Sequence, residues 1–297
     1  MNNVYKNLIQ IKGGLSKKKV FKKTGKINKI IIDFSEDQKE FHNFLRIYEI
    51  LIKINISIPR IYEVYFKEKL IVMEDFGENS FDKILNEENI YYLLKLSIDN
   101  LIIIHHSIDN EDLLKLEKYT YDHLKQDISE FVDFYIPYKK ISKFPSNEFY
   151  QCWKNIFKTA NFNFDSFVHK DYEFINLLFL NHKKKHLKCG IIDFQSAFLG
   201  FVGWDLLSIL ENSRVYFTNE HNEDLIKYFY ENVNISLEFN SFRKQYYILN
   251  LVRQTRLLGR WVKLFNEGNK GYIKFIEPTR KRIISCLSKI QNNKLKI

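Results

Sequence analysis

Apolar residues recur at two different periods along the chain, and the texture changes after Gly77. Before it, short apolar runs alternate with Gly, Lys and Asn. Residues 5–12, 18–24 and 29–34 predict three strands, punctuated by Gly13–Gly14 and Gly25. Ser35, followed by Glu36 and Asp37, opens a predicted helix running to residue 54. Its Phe41, Phe44, Leu45, Tyr48, Leu51 and Ile52 return at helical spacing. Pro59 leads into two further strands, residues 61–66 and 70–73. After Gly77 the 3.6-residue period takes over, predicting helices over 90–107, 113–134, 147–160, 203–213, 223–232 and 239–266. One β-rich island interrupts them at 167–194, with strands 177–180 and 188–192 around the polar turn 181–186. The expectation is an α+β chain in two parts. Residues 1–77 form a small lobe of five strands and a helix, residues 78–297 a larger helical lobe, and 74–78 the hinge.

Composition narrows the class. At 297 residues the chain is long enough to bury a full core. Its longest apolar runs, residues 101–104 and 30–32, are too short to span a bilayer. Residues 1–11 lack the apolar core of a signal peptide, and the lysines follow rather than precede them. Cys152, Cys189 and Cys286 show neither metal nor disulfide spacing. They read as small buried hydrophobes of a cytoplasmic, reducing compartment. The net charge of +10 is spread over turns and a tail, so no dedicated nucleic-acid site is expected. The surplus positive charge would still attract a polyanion.

Chemistry concentrates in the β-rich island. His169, Asp171 and Asn176 follow the pattern H-x-D-x-x-x-x-N, and Ile191-Ile192-Asp193-Phe194-Gln195 follows one strand hairpin later. Phosphoryl transfer needs a positioned acceptor hydroxyl and neutralised phosphate charge rather than covalent help. Asp171 is the candidate group to orient that hydroxyl and take its proton. Asn176 and Asp193 supply hard oxygen ligands for Mg²⁺ bridging the phosphates of ATP. His169 is expected to brace the loop by hydrogen bonding.

These motifs resemble the aminoglycoside phosphotransferase and choline kinase superfamily, which has the two-lobed protein-kinase-like fold. The resemblance runs from Gly13-Gly14-Leu15-Ser16 and Met73-Glu74-Asp75-Phe76-Gly77 through the island to Gly203-Trp204-Asp205. It ends in Arg253-Gln254-Thr255-Arg256-Leu257-Leu258-Gly259-Arg260. The Asp-Phe-Gln form and this late Arg/Gly helix are similar to the bacterial kinases of N-acetylmuramate and N-acetylglucosamine. The resemblance implies that Gly13, Gly14, Ser16 and Lys17 close over the nucleotide phosphates. It implies that Glu74 and Phe76 meet the adenine, that Gln195, Arg253 and Arg256 meet the acceptor, and that Asp205 supports the catalytic loop. The expected activity is an ATP- and Mg²⁺-dependent amino-sugar kinase of cell-wall recycling.

The chain also departs from that pattern. Kinase-like enzymes carry a lysine at the end of the third strand, where this one reads Ile30-Ile31-Ile32-Asp33. Lys17, Lys19, Lys22 or Lys29 could meet the phosphates instead. Glu40 or Glu49 could face the site from the helix, although an exposed helix surface accounts for either. Ser196 and Phe174-Ile175 replace residues usual in the amino-sugar branch. About ten residues separate Asp193 from the next helix, too few for a peptide-holding segment, so the acceptor is expected to be a small molecule. Arg253, Arg256, Arg260 and Lys263 share one helix face, suited either to an anionic sugar or to solvent. A choline- or aminoglycoside-type kinase and a nucleotide-binding pseudokinase, the latter prompted by Asp33, are the alternatives.

Overall fold

The computed structural model describes residues 8–11, 17–215 and 221–292. Gly13, Gly14 and Ser16 lie outside them. Packing divides the chain into two compact units, neither continuous in sequence. The first takes in the described residues up to Asp112 together with His169–Ala197, and the second Leu113–Val168 with Phe198 onward.

The first unit is built on an antiparallel sheet. Strands β1 (Leu8–Ile11), β2 (Lys19–Lys23) and β3 (Lys29–Asp33) come first, then helix α1 (Gln38–Leu51), then β4 (Ile61–Tyr65) and β5 (Leu70–Glu74). The sheet order is β1-β2-β3-β5-β4. Interior position explains the sequence of β5: Leu70, Ile71, Val72 and Met73 are all buried, as a strand covered on both faces requires. Strand β2, paired with β1 on one side and β3 on the other, carries Lys19, Lys22 and Lys23. Asp37, not Ser35, caps α1, its carboxylate accepting the Glu40 N–H at 2.9 Å. Phe41, Phe44, Ile47, Ile50 and Leu51 form the buried stripe of α1, and Phe34 packs on Phe41 and Phe44. Helix α2 (Ile90–Ser107) matches the predicted bounds. The hairpin Leu177–Phe179 with Cys189–Ile191 completes this unit.

The second unit is helical apart from a two-stranded pairing of Ser166–Val168 with Phe198–Gly200. Its axis is the helix Phe239–Asn266, again with the predicted bounds. The helix predicted over 113–134 is broken, because Tyr119 and Leu199 exchange strand-like contacts: Tyr119 N–H donates to Leu199 O and Leu199 N–H to Glu117 O. A helix then starts at Tyr121 behind a capping box from Thr120 and His123 and runs to Glu130. From Phe131 to Tyr135 it widens into a π-helical turn. The helix Ile276–Asn292 is an addition to the predicted set. Glu223, held by Arg243, Tyr247 and Lys289, ties the helix Asn222–Asn232 to its two C-terminal neighbours. Burial would raise its carboxyl, but these donors hold it down at about 2. Cys189 and Cys286 are buried as expected, whereas Cys152 is exposed on the helix Ser146–Ala160.

Candidate active site

The island residues assemble around the backbone of Ile192. Its N–H donates to the Asn176 carbonyl at 3.1 Å, and its carbonyl lies 3.1 Å from Nε2 of His169. A carbonyl only accepts, so that nitrogen carries the proton. His169 is fully buried, and burial lowers its pKa to about 4, which keeps it neutral. That bond ties the start of the loop to Ile192. Tyr172 fixes the same loop from the other side, its hydroxyl donating to the Ser97 carbonyl of α2 at 2.9 Å.

Asn176 donates its amide nitrogen to the Asp171 carbonyl at 2.8 Å, and Glu173 N–H meets the same oxygen at 2.9 Å. Asp171 thus sits on a loop whose main chain is pinned on both sides. Asp193 has φ 66 and Lys170 has φ 78, left-handed conformations that non-glycine residues adopt at a cost. Phe194 anchors the strained turn: its buried ring lies 4.8 Å from that of Phe44 and 6.5 Å from that of Tyr48, both on α1.

A cavity of about 220 Å³ opens beside Asp193. Ile11, Val20, Ile30 and Ile32 wall it from the sheet, residues 73–77 from the end of β5 and the turn after it, and Leu178, Ile192 and Phe194 from the hairpin and the turn that follows it. Glu74 and Phe76 are among the lining residues. The Phe76 ring packs against Gly190, where a Cβ would stand only 2.7 Å from it. A side chain there would push the ring out of the cavity wall.

None of the four candidate lysines lines the cavity. Lys17 is exposed, Lys19 pairs with Glu36 at 2.6 Å, Lys22 with Asp75 and Glu78, and Lys29 with Glu63. The side chain that reaches the site is Lys18, just before β2, which the sequence reading passed over. Its ammonium hydrogen-bonds Asp193 and lies 3.9 Å from Glu40. Gln195 closes the group, its amide nitrogen 2.9 Å from Glu40 and 3.0 Å from Asp193. Burial alone would raise the Asp193 carboxyl, but Lys18 and Gln195 outweigh it and hold the group below its ordinary value. Burial keeps Glu40 above its ordinary value despite Lys18 and Gln195. Glu40 therefore faces the site, while Glu49 is exposed.

Asp33 does not line the cavity. Ile30 and Ile32 line the cavity, and alternation along β3 turns Asp33 to the opposite face, where it accepts the Ser35 N–H at 2.8 Å. In the second unit, Asp205 is buried in the helix Trp204–Leu210. Arg253 is buried too, and the basic helix face is neither solvated nor unopposed. Arg256 lies 3.5 Å from Asp127, and Arg260 and Lys263 lie 2.7 and 3.9 Å from Glu130.

Among the described residues no three His, Cys, Asp or Glu side chains cluster as a ready-made metal cage. One carboxylate and one amide oxygen suit a hard cation that draws its remaining ligands from phosphate and water. Nor is any helix of the described residues long and apolar enough to cross a membrane.

Sheet, hairpin, loop and the mostly helical remainder together define a kinase-like fold. Residues 7–231 match the phosphotransferase enzyme family (APH), and the chain belongs to it. The N-acetylmuramate/N-acetylglucosamine kinase of Caulobacter vibrioides is 25% identical over 235 residues, 74% of this chain and 63% of the relative. The chain thus spans less than two thirds of that relative's length. The enzyme of the same name from Pseudomonas aeruginosa is 20% identical over 252 residues, covering 81% of this chain and 71% of its own. Among solved structures, choline kinase LicA from Streptococcus pneumoniae superimposes with a TM-score of 0.62 at 14% identity, covering 94% of this chain and 93% of its own. The gentamicin complex of APH(2″)-IIa gives 0.60 at 16% identity, covering 92% and 91%.

Proposed function

We propose that this protein transfers the terminal phosphoryl group of ATP to a hydroxyl of a small molecule, and that the acceptor is an amino sugar. The observation that carries the reaction class is the Ile192 backbone, which ties the Asp171 loop and Asn176 to Asp193 beside the cavity. In this reading the adenine enters between the sheet and residues 73–77. Asp171 orients the acceptor hydroxyl and takes its proton as the phosphoryl group leaves ADP. Asn176 and Asp193 hold magnesium, which supplies charge neutralisation on the phosphates. The acceptor assignment rests on the two relatives named N-acetylmuramate/N-acetylglucosamine kinase. The basic face of the helix Phe239–Asn266 adds little to it, because Asp127 and Glu130 already oppose Arg256, Arg260 and Lys263.

A panel of acceptors with Mg-ATP, scored by ADP release, tests both levels. N-acetylmuramate or N-acetylglucosamine should give turnover above the rate without acceptor. Turnover only with choline or an aminoglycoside would replace the amino sugar by a cationic acceptor. Asp171→Ala should cut turnover by roughly 10²–10⁴-fold, the usual weight of a positioned base, and leave nucleotide binding intact. Undiminished turnover in that variant would remove Asp171 from the reaction.

A further inference from the structure

Among the described residues, Lys18 is the lysine that combines a place in the cavity wall with contacts to both Asp193 and Glu40. Lys19, Lys22 and Lys29, its neighbours on β2 and β3, point to other carboxylates. The third strand offers the cavity only the apolar side chains of Ile30 and Ile32. No cationic side chain of β3 lines the cavity, and the lysine that does line it comes from the start of β2.

We propose that Lys18, delivered from the start of β2, contacts the nucleotide phosphates, and that Glu40 on α1 holds it in position. This rests on the kinase reading above and assigns a task that reading left open. Asp193 would have to serve both Lys18 and a metal ion, and two cations compete for its oxygens. When Mg-nucleotide binds, the ammonium turns from Asp193 to a phosphate oxygen, and Asp193 is released to the metal. Glu40, 3.9 Å from Nζ, stays within reach throughout. Gln195 keeps the two carboxylates apart, its amide nitrogen bridging them at 2.9 and 3.0 Å. The exchange breaks no covalent bond and moves no proton, and an ammonium on a four-carbon stem has the reach to make it.

The test compares two ligands, because a phosphate contact must affect Mg-ATP and spare adenosine. Calorimetric or NMR titration of Lys18→Met should show Mg-ATP affinity falling tenfold or more, with adenosine affinity within twofold of the unmodified protein. Lys19→Met, an exposed neighbour paired with Glu36, should change neither. Unchanged Mg-ATP affinity in Lys18→Met would take Lys18 off the phosphates. An equal loss for both ligands would make it a support of the fold, and either result overturns the proposal. If Lys18→Met does not fold, the isosteric Glu40→Gln carries the same comparison. A loss confined to Mg-ATP upholds the assignment, and equal affinities sink it. An unmodified protein that binds neither ligand would instead bring down the kinase reading itself.

Discussion

Asn176 commits its amide nitrogen to the Asp171 carbonyl at 2.8 Å, and that choice decides what the rest of the side chain can do. A carbonyl accepts and cannot donate, so the amide orientation is fixed and the oxygen is turned away for another partner. Under the proposed function two jobs fall to one residue: pinning the loop, which the bond to Asp171 performs, and offering a metal ligand. Substitution separates them. Asn176→Asp keeps an oxygen but loses the donor, while Asn176→Ala loses both. We expect both to lower kcat, and the Ala variant to raise the Mg²⁺ concentration for half-maximal turnover by about tenfold or more. A Mg²⁺ requirement unchanged in Asn176→Ala would leave the residue only its structural job. The same scale shows where sequence reading succeeded and failed. His169, Asp171, Asn176 and Asp193 were legible because fixed offsets carry them. Lys18 was not, because it stands in a run of three lysines in which only three-dimensional direction separates one from the next. The direction of Asp33 was not legible for a related reason: the face a strand residue presents depends on register, and one position of shift reverses it.

At the scale of elements, the crossing of the helix Tyr121–Glu130 with the helix Phe239–Asn266 is set by Gly259. A Cβ there would lie 2.0 Å from the Glu130 carbonyl oxygen and 2.1 Å from its carbon, both backbone atoms that cannot rotate aside. The two helices can approach this closely only without a side chain, and the π-helical turn of Phe131–Tyr135 begins at that point. Arg260 and Lys263, one and four residues further along, reach Glu130 across the crossing. Gly259→Ala should separate the helices and destabilise the protein by about 1–3 kcal/mol or more, as overpacking does, read as a lower denaturation midpoint. A midpoint equal to that of the unmodified protein would mean that the crossing has slack. Gly259 was visible in the sequence as part of a late Arg/Gly helix, but its packing task was not, since nothing local names the backbone it touches. Long periodic helices such as Ile90–Ser107 were read to the residue because burial repeats along them many times. Three-residue strands such as Ser166–Val168 and Phe198–Gly200 are too short to alternate visibly, and their pairing brings together segments separated by residues 169–197. The helix Ile276–Asn292 hid behind its basic residues: Ile276, Thr279, Cys286 and Ile290 are its buried positions among Lys and Arg.

For the whole molecule, the consequential fact is that the chain enters and leaves its first unit more than once. Texture suggested a break after Gly77, where strands give way to helices. Packing instead groups α2 and the segment His169–Ala197 with the sheet. Every side chain lining the cavity, from Ile11 to Phe194, belongs to that first unit, as do Asp171 and Asn176. A ligand that binds only the folded state stabilises what it touches, by about 3 kcal/mol at a roughly hundredfold excess over its Kd. Its effect should therefore be read in the hydrogen exchange of a discontinuous set of peptides. We expect Mg-ATP to slow exchange in β3, β5 and the hairpin Leu177–Phe179 with Cys189–Ile191, segments far apart in sequence that share the cavity wall. Adenosine alone should protect β3 and β5, and protect the turn at Asp193 less, because it brings neither phosphate nor metal to that end. Protection by Mg-ATP confined to residues 113–168 and 198–292 would move the nucleotide out of this cavity and undo the assignment. The exchange map thus decides the site from the pattern of protected segments, independently of which acceptor the enzyme prefers.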